Sequence, residues 1–278
     1  MEAFMDIPKL TLRPEEIETH VGYIKQFSVN ETFRLHTHDF YEFFYICKGK
    51  SIHEINGTNQ LLVQGALVFI RPDDVHQFDF FNHYDMHIIS CGVSVSLMED
   101  AFHYLGIDHT LFTSPALPPC IILEGTDYLR MEQKLDQIDK KNPGSERQTY
   151  FRSLLPELLY LFLSDKQAAN PPLPIWFSNL LTAMNEPQNF IAGLDAMLHL
   201  ANISQEHLTR EFRKRLHMTP TQYINSKRIN YAADLLLQHK YEILDVCFMS
   251  GFHNLTYFYK IFQKHYNCTP KDFQKKYS

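Results

Sequence analysis

The 278-residue chain has little of several things. No stretch approaches the roughly 18 consecutive apolar residues of a membrane span, which argues against a bilayer-crossing helix. The opening MEAFMDIPKL lacks the basic and apolar regions of a secretory signal. The five cysteines, Cys47, Cys91, Cys120, Cys247 and Cys268, are scattered and odd in number. That excludes a disulfide framework and matches no zinc spacing. The expectation is a cytoplasmic protein with reduced thiols. Positive charge is also scarce, with a formal net charge of −6. Its distribution is uneven, however. From Pro172 onward twelve Lys and Arg face eight Asp and Glu, a balance of +4, which leaves −10 for the preceding part. Only the second part is thereby expected to approach phosphate.

What is present is a stretch that occurs twice. Residues 191–225 align without a gap on residues 241–275. Leu194 meets Leu244, Asp195 meets Asp245 and Leu208 meets Phe258. Arg210 meets Lys260, Phe212 meets Phe262, and Thr219 with Pro220 meets Thr269 with Pro270. An internal repeat fixes architecture, and two copies read as two sister modules rather than a solenoid. Each copy begins with a short apolar segment ending in a small or polar turn, Ala201 and Asn202 or Ser250 and Gly251. A second segment follows with apolar residues at helical spacing: Leu208, Phe212, Leu216 and Phe258, Ile261, Phe262. Ser204 and Asn254 stand where N-caps belong. Two short helices joined by a tight turn are the helix-turn-helix pattern, whose second helix enters the major groove. Between the copies, residues 221–238 read as a longer helix, and residues 175–185 as another.

The first part reads differently. From Arg34 to Cys91 short aromatic and β-branched runs alternate with turn residues, including Asn56 and Gly57 at a hairpin position. Several short strands so closely spaced predict a small barrel or jelly roll. Residues 96–105, 127–141 and 146–164 read as helices. The last has a broad apolar face, Phe151, Leu154, Leu155, Leu158, Leu159 and Phe162, with Pro156 inside as a source of a kink. That face packs on the barrel or pairs with a partner subunit, and self-association is the favoured expectation. Residues 1–30 carry little signal. Residues 165–174 are polar, then proline-rich, and predict a linker. The expected division is 1–166, a linker at 167–174, and 175–278.

In the first domain His36, His38 and Glu42 are followed by Gly49, and later by Pro72 and His76. Two histidines two apart on a strand project to one face. With Glu42 and His76 they make a His₃Glu set suited to Zn, Fe, Ni or Mn. The spacing His-x-His-x₃-Glu-x₆-Gly resembles the first cupin motif. The second motif is partial, because Asp74 stands where glycine is usual. Without a metal, the same residues read as hydrogen-bonded interior polar groups lining a sugar or small-ligand pocket. The expected effector-binding residues are His36, His38, Glu42, Phe44, His76 and Phe78.

Taken together, residues 30–278 resemble the AraC family of bacterial transcription regulators. The run from Gly251 to Lys264, followed by Tyr266-Asn267-Cys268-Thr269-Pro270, carries the resemblance most specifically. The sensor stretch from His36 to Phe43 looks most like regulators of carbohydrate operons of the chitobiose type. The resemblance implies an α+β multidomain fold, a cupin-like β-barrel with associated helices followed by an all-α domain with two helix-turn-helix motifs. It implies double-stranded DNA and a small-molecule effector, a sugar, as partners, with RNA polymerase and a second copy of the chain as further ones. DNA-contacting positions carried over are Ser204, Gln205, Glu206, Thr209, Arg210 and Arg213, then Asn254, Leu255, Thr256, Tyr259, Lys260 and Lys264. Arg210 suits a bidentate contact to guanine. Glu206 accepts from cytosine N4 or repels phosphate. Leu255, Tyr259 and Lys260 depart from the usual pattern, which puts direct readout by the second module in question. The expected function is effector-responsive, sequence-specific transcription regulation without catalysis. The rival is a metal cupin dioxygenase or isomerase carrying a DNA-binding domain.

Overall fold

The computed structural model describes residues 7–26, 35–80, 87–142, 144–164 and 173–276. They fall into two compact units, residues 7–79 with 87–164, and residues 173–276. Arg34 and most of the expected linker lie outside the described residues.

The first unit opens with β1 (Lys9–Leu10), α1 (Pro14–Ile17), β2 (Val21–Gln26) and β3 (Thr37–His38). There follow β4 (Tyr41–Lys48), β5 (Lys50–Ile55), β6 (Thr58–Val63), β7 (Ala66–Ile70), β8 (His76–Phe80) and β9 (His87–Val93). The rest is α2 (Val95–Leu105), α3 (Thr110–Thr113), β10 (Cys120–Ile122), α4 (Gly125–Asp139) and α5 (Ser145–Leu163). A five-stranded sheet has the order β10-β7-β4-β9-β2, and a three-stranded sheet the order β6-β5-β8. β1 pairs in parallel with β3. Asn56 and Gly57 both take positive φ, 49° and 73°, as the expected tight hairpin between β5 and β6 requires.

The two-residue period of a strand explains the sheet's composition. On β4, Tyr41, Phe43 and Tyr45 join the core beneath the helices, while Glu42 and Phe44 face a cavity. On β9, Ile89, Cys91 and Val93 face the helices, while Ile88, Ser90 and Gly92 face the cavity. A sheet covered on both faces needs near-continuous apolar runs, which is why β4 reads Phe-Phe-Tyr-Ile rather than alternating cleanly.

α5 overturns the favoured expectation for its face. Phe151, Leu154, Leu155, Leu158 and Leu159 are buried in the same core as Tyr41, Phe43 and Phe69. Burying that stripe on the sheet gains roughly 25 cal/mol per Å² within the chain itself, so no partner is needed to cover it. Tyr160 and Leu163 remain exposed. The helix runs through Pro156 without a break.

The second unit is entirely helical: α6 (Ile175–Ala183), α7 (Pro187–Ala192), α8 (Leu194–Ala201), α9 (Gln205–Leu216), α10 (Pro220–Leu237), α11 (Ile243–Met249), α12 (Leu255–Tyr266) and α13 (Pro270–Lys276). The two copies of the repeat fold alike. α8 and α9 form one helix-turn-helix, and α11 and α12 the other. α9 and α12 end on residues in the left-handed conformation, His217 and Asn267. Thr219 and Gln222 form a capping box that starts α10, with Pro220 at its first position. Leu208, Phe212 and Leu216, and likewise Phe258 and Phe262, are fully buried. Leu244 and Phe248 are about half exposed, and Val246 and Cys247 supply the core of α11 instead.

α10 packs against α7, α8 and α9 on one side and α11, α12 and α13 on the other. Its Arg228 donates to the carbonyls of Phe190 (2.8 Å) and Ile191 (2.7 Å) and lies over the Phe252 ring. A Cβ added at Gly251, whose φ is +85°, would sit 2.9 Å from Arg228 Nε and 3.0 Å from the Ile191 carbonyl. No helix among the described residues is long and apolar enough to cross a membrane.

Candidate functional site

The cavity between the two sheets has a volume of ≈ 170 Å³. Its walls are Gly22 and Ile24 of β2, Glu42 and Phe44 of β4, and Ile88, Ser90 and Gly92 of β9. His36, His38, Phe40, His76 and Phe78 close one end, and Leu10, Thr11, Leu12, Arg13 and Glu16 another. All six residues expected to bind the effector therefore line one cavity.

At its base three side chains converge. His38 Nδ1 donates to the Phe40 carbonyl at 2.8 Å, so in the neutral ring its Nε2 keeps a lone pair. That Nε2 lies 3.4 Å from Glu42 Oε2, and His76 Nε2 lies 3.7 Å from the same oxygen. The ligand atoms of His38, Glu42 and His76 all fall within 4.8 Å of one another. His38 Nε2, Glu42 Oε2 and His76 Nε2 are buried and lack hydrogen-bond partners. Two imidazoles and a carboxylate with unsatisfied, converging atoms fit a divalent transition-metal ion. His36 does not join that set. Its backbone bridges to His76, and its ring stands 4.3 Å from the His76 ring.

Electrostatics bind the cluster together. Burial opposes the charge of Glu42, but the positive charge of His38, the proximity of His76 and the hydrogen bond donated by the Ser90 hydroxyl outweigh it and lower its pKa to about 2. Burial lowers His38, while Glu42 and the Phe40 carbonyl more than restore it, so it ends above its ordinary value. His76 is pushed well down by burial.

Sequence reasoning missed several residues here. His53 Nε2 lies 3.1 Å from His76 Nδ1, and the Gln60 side-chain amide lies 2.9 Å from His53 Nδ1. The only sequence signal was a histidine inside an apolar strand, Ile52-His53-Glu54-Ile55. Arg13 and buried Glu16 form an ion pair at the cavity wall. Asp74, in the place of the usual cupin glycine, accepts from Arg71 and from Asn56 at 2.8–2.9 Å, pinning the loop before His76 to the β5–β6 turn. Burial opposes its charge, but these donors hold its carboxyl below the ordinary value.

In the second unit the candidate DNA-contacting residues sit on α9 and α12 or cap them. Gln205, Glu206, Arg210, Arg213, Leu255, Thr256, Lys260 and Lys264 are exposed, while Thr209 and Tyr259 are partly buried. Ser204 accepts from the His207 N–H at 3.2 Å and Asn254 from the Tyr257 N–H at 2.8 Å, so both side chains are engaged as helix caps. Arg215 is tied to Glu211 at 2.9 Å, whereas Arg210 and Arg213 have no ion-pair partner among the described residues. The N–H of Glu206 and the Ser204 hydroxyl hold the Glu206 carboxyl below its ordinary value.

Residues 21–115 match the AraC-like ligand binding domain, and residues 197–276 match a helix-turn-helix domain. Similar proteins include the HTH-type transcriptional activator RhaR of Escherichia coli O139:H28 and that of Shigella flexneri. Each is 25% identical over 254 residues, covering 88% of either chain. Among solved structures, fatty-acid-bound ToxT from Vibrio cholerae is 16% identical, with 92% of this chain and 93% of that one covered, at a TM-score of 0.36. A protein of unknown function from Listeria innocua is 30% identical over 38% of this chain and all of its own, at a TM-score of 0.34. With a ligand-binding β-domain followed by a helical domain of two helix-turn-helix motifs, the chain belongs to the AraC family of DNA-binding transcription regulators.

Proposed function

We propose that this regulator is a sugar-responsive activator whose effector occupies the cavity of the first domain. The observation that carries the reading is the cavity's make-up. Phe40, Phe44 and Phe78 offer apolar faces, while Glu42, Ser90, His38 and His76 offer converging polar atoms. That combination suits a polyhydroxylated ring. Activation follows the printed role of the RhaR relatives. Residues 1–166 are the sensor, 167–174 the linker and 175–278 the DNA-binding domain. His36, His38, Glu42, Phe44, His76 and Phe78 contact the effector, and His38, Glu42 and His76 hold a divalent ion of the Zn, Ni, Fe or Mn class. His36 packs against that set from outside.

Arg210 reads a base and Arg213 and Lys264 contact phosphate, because these cations stand exposed on second helices of helix-turn-helix motifs. Gln205, Glu206, Thr209, Leu255, Thr256, Tyr259 and Lys260 form the remainder of the two DNA faces, with Ser204 and Asn254 at their N-terminal edges. The protein works in the cytoplasm as a homodimer that contacts RNA polymerase, and it has no catalytic activity of its own.

The test is to select fragments of genomic DNA bound by the full chain, then measure affinity for them with a panel of mono- and disaccharides. At least one sugar is expected to change the affinity tenfold or more. A protein that binds its operator with no response to any sugar, yet turns over a substrate when loaded with metal, would decide for the cupin enzyme.

A further inference from the structure

We propose that Gln60 and His53 are positioning residues for a divalent metal ion, acting by setting which ring nitrogen of His76 carries its proton. The proposal rests on the reading of His38, Glu42 and His76 as a metal-binding set. The three ligand atoms differ in how they are prepared. His38 is fixed, because its Nδ1 faces the Phe40 carbonyl at 2.8 Å and a carbonyl can only accept. His38 Nε2 is therefore available as a ligand in the neutral ring. His76 is not fixed in this way. Its Nδ1 faces another imidazole nitrogen, His53 Nε2 at 3.1 Å, which can donate or accept. His53 Nδ1 in turn faces the side-chain amide of Gln60 at 2.9 Å, on the paired strand directly opposite. An amide can also present either a donor or an acceptor.

The chain Gln60–His53–His76 thus has two self-consistent arrangements. In the first, the Gln60 N–H donates to His53 Nδ1 and the His53 Nε2–H donates to His76 Nδ1. The His76 proton then sits on Nε2 and points toward Glu42 Oε2. This is the arrangement with the amide nitrogen toward His53, as the structure has it. In the second, the amide is turned over and its oxygen accepts from His53 Nδ1–H. His53 Nε2 then accepts from His76 Nδ1–H, and His76 Nε2 offers a lone pair to a cation beside His38 Nε2 and Glu42 Oε2. Each ring keeps one proton throughout, so no charge is gained or lost. Mixed arrangements leave two donors or two acceptors facing each other. With His53, Gln60 and His76 0%, 4% and 1% exposed, water is poorly placed to relieve that mismatch. The amide turn therefore switches the site between a hydrogen-bond donor for a sugar oxygen and a metal-binding set of three.

The test compares the full-length wild type with Gln60→Glu, Gln60→Met and His53→Phe. The first readout is the tautomer of His76 in metal-free protein, from long-range proton–nitrogen NMR correlations. The second is Co(II) affinity from the visible absorption of the bound ion. A carboxylate can only accept, so Gln60→Glu is expected to move the His76 proton to Nδ1 and tighten Co(II) about tenfold. His53→Phe removes the partner of His76 and is expected to weaken Co(II) by roughly 10–100-fold. Should His53→Phe fail to fold, Gln60→Met carries the same direction, with affinity below that of Gln60→Glu. An unchanged tautomer in Gln60→Glu, or Co(II) affinities within twofold across the series, overturns the proposal. If the tautomer switches but no variant takes up millimolar Co(II), the metal reading fails, and with it the proposed purpose of the chain.

Discussion

The histidines of the sensor have opposite dependences on pH, because burial lowers His53 and His76 while Glu42 outweighs burial at His38. His53 is lowered by burial from 6.5 to about 3, and His76 well below 6.5 for the same reason. Unfolded, each takes up a proton near its ordinary value. Their stabilising contribution is therefore complete above that value and is lost as pH falls toward the folded one. Each proton taken up only by the unfolded chain costs about 1.4 kcal/mol per pH unit in that window. The thermal midpoint of the sensor is expected to drop between pH 6.5 and 4, with a shallower drop in His53→Phe. Equal acid slopes in both proteins would remove His53 from this account. His38, raised overall, works the other way, and its contribution fades as pH rises through its folded value. In the second unit, Arg210→Ala is expected to weaken specific DNA binding by about 1–3 kcal/mol and relax preference at one base pair. Lys264→Ala should weaken specific and random DNA alike. Binding assays on both DNA types separate the two roles. His38, Glu42 and His76 were legible because a strand's period and a motif's spacing are local properties. His53 and Gln60 were not, because only the pairing register of β5 with β6 sets them opposite each other. Arg13 and Glu16 reach the cavity through a segment that pairs with residues nearly thirty positions later, and nothing in their neighbourhood announces it.

Among elements, the repeated pair of helices was the most legible, since two copies of one pattern constrain each other. α5 was misjudged for a physical reason. A broad apolar stripe states that something covers it, not what does. The covering surface is the Tyr41, Phe43 and Phe69 face of the large sheet. Leu159, which is 0% exposed, lies in this contact. Leu159→Ala is expected to cost about 2–5 kcal/mol by chemical denaturation. A loss below 1 kcal/mol would place α5 outside the sensor's core. Gly251 is the corresponding weak point of the helical unit. A methyl there meets Arg228 and the Ile191 carbonyl at positive φ. Gly251→Ala should destabilise the unit by roughly 2–4 kcal/mol. Thermal melting of the full chain, followed through the helical signal, checks it.

At the scale of the whole molecule, charge and sequence repeat point to the same division of labour. The basic excess lies after Pro172, where both helix-turn-helix motifs stand. A fragment of residues 172–278 is expected to keep salt-dependent DNA binding, its affinity falling steeply with ionic strength. Equal binding by residues 1–166 alone would reverse the assignment. α10 spans 18 residues, about 27 Å at roughly 1.5 Å each. That is commensurate, with its flanking modules, with the roughly 34 Å between successive major-groove faces. Inserting one to five base pairs between the half-elements should abolish one of the two footprints, because each pair turns the target by about 36°.

The Arg228 hub has a bearing on how such a protein can be re-engineered. Its guanidinium is held by the α7 carbonyls of Phe190 and Ile191 at the entry to the first module and lies over the Phe252 ring of the second, with Gly193 of the first and Gly251 of the second crowded against it. The two modules are similar in sequence but are not interchangeable cassettes. A graft of one whole module from a cousin would have to bring α10, the arginine and both glycines, or the hub would not close. The exposed side chains of α9 and α12 are free of that constraint. Retargeting to a new operator is therefore a matter of recoding a few outward positions, while recombination at module boundaries should give chains that fold poorly.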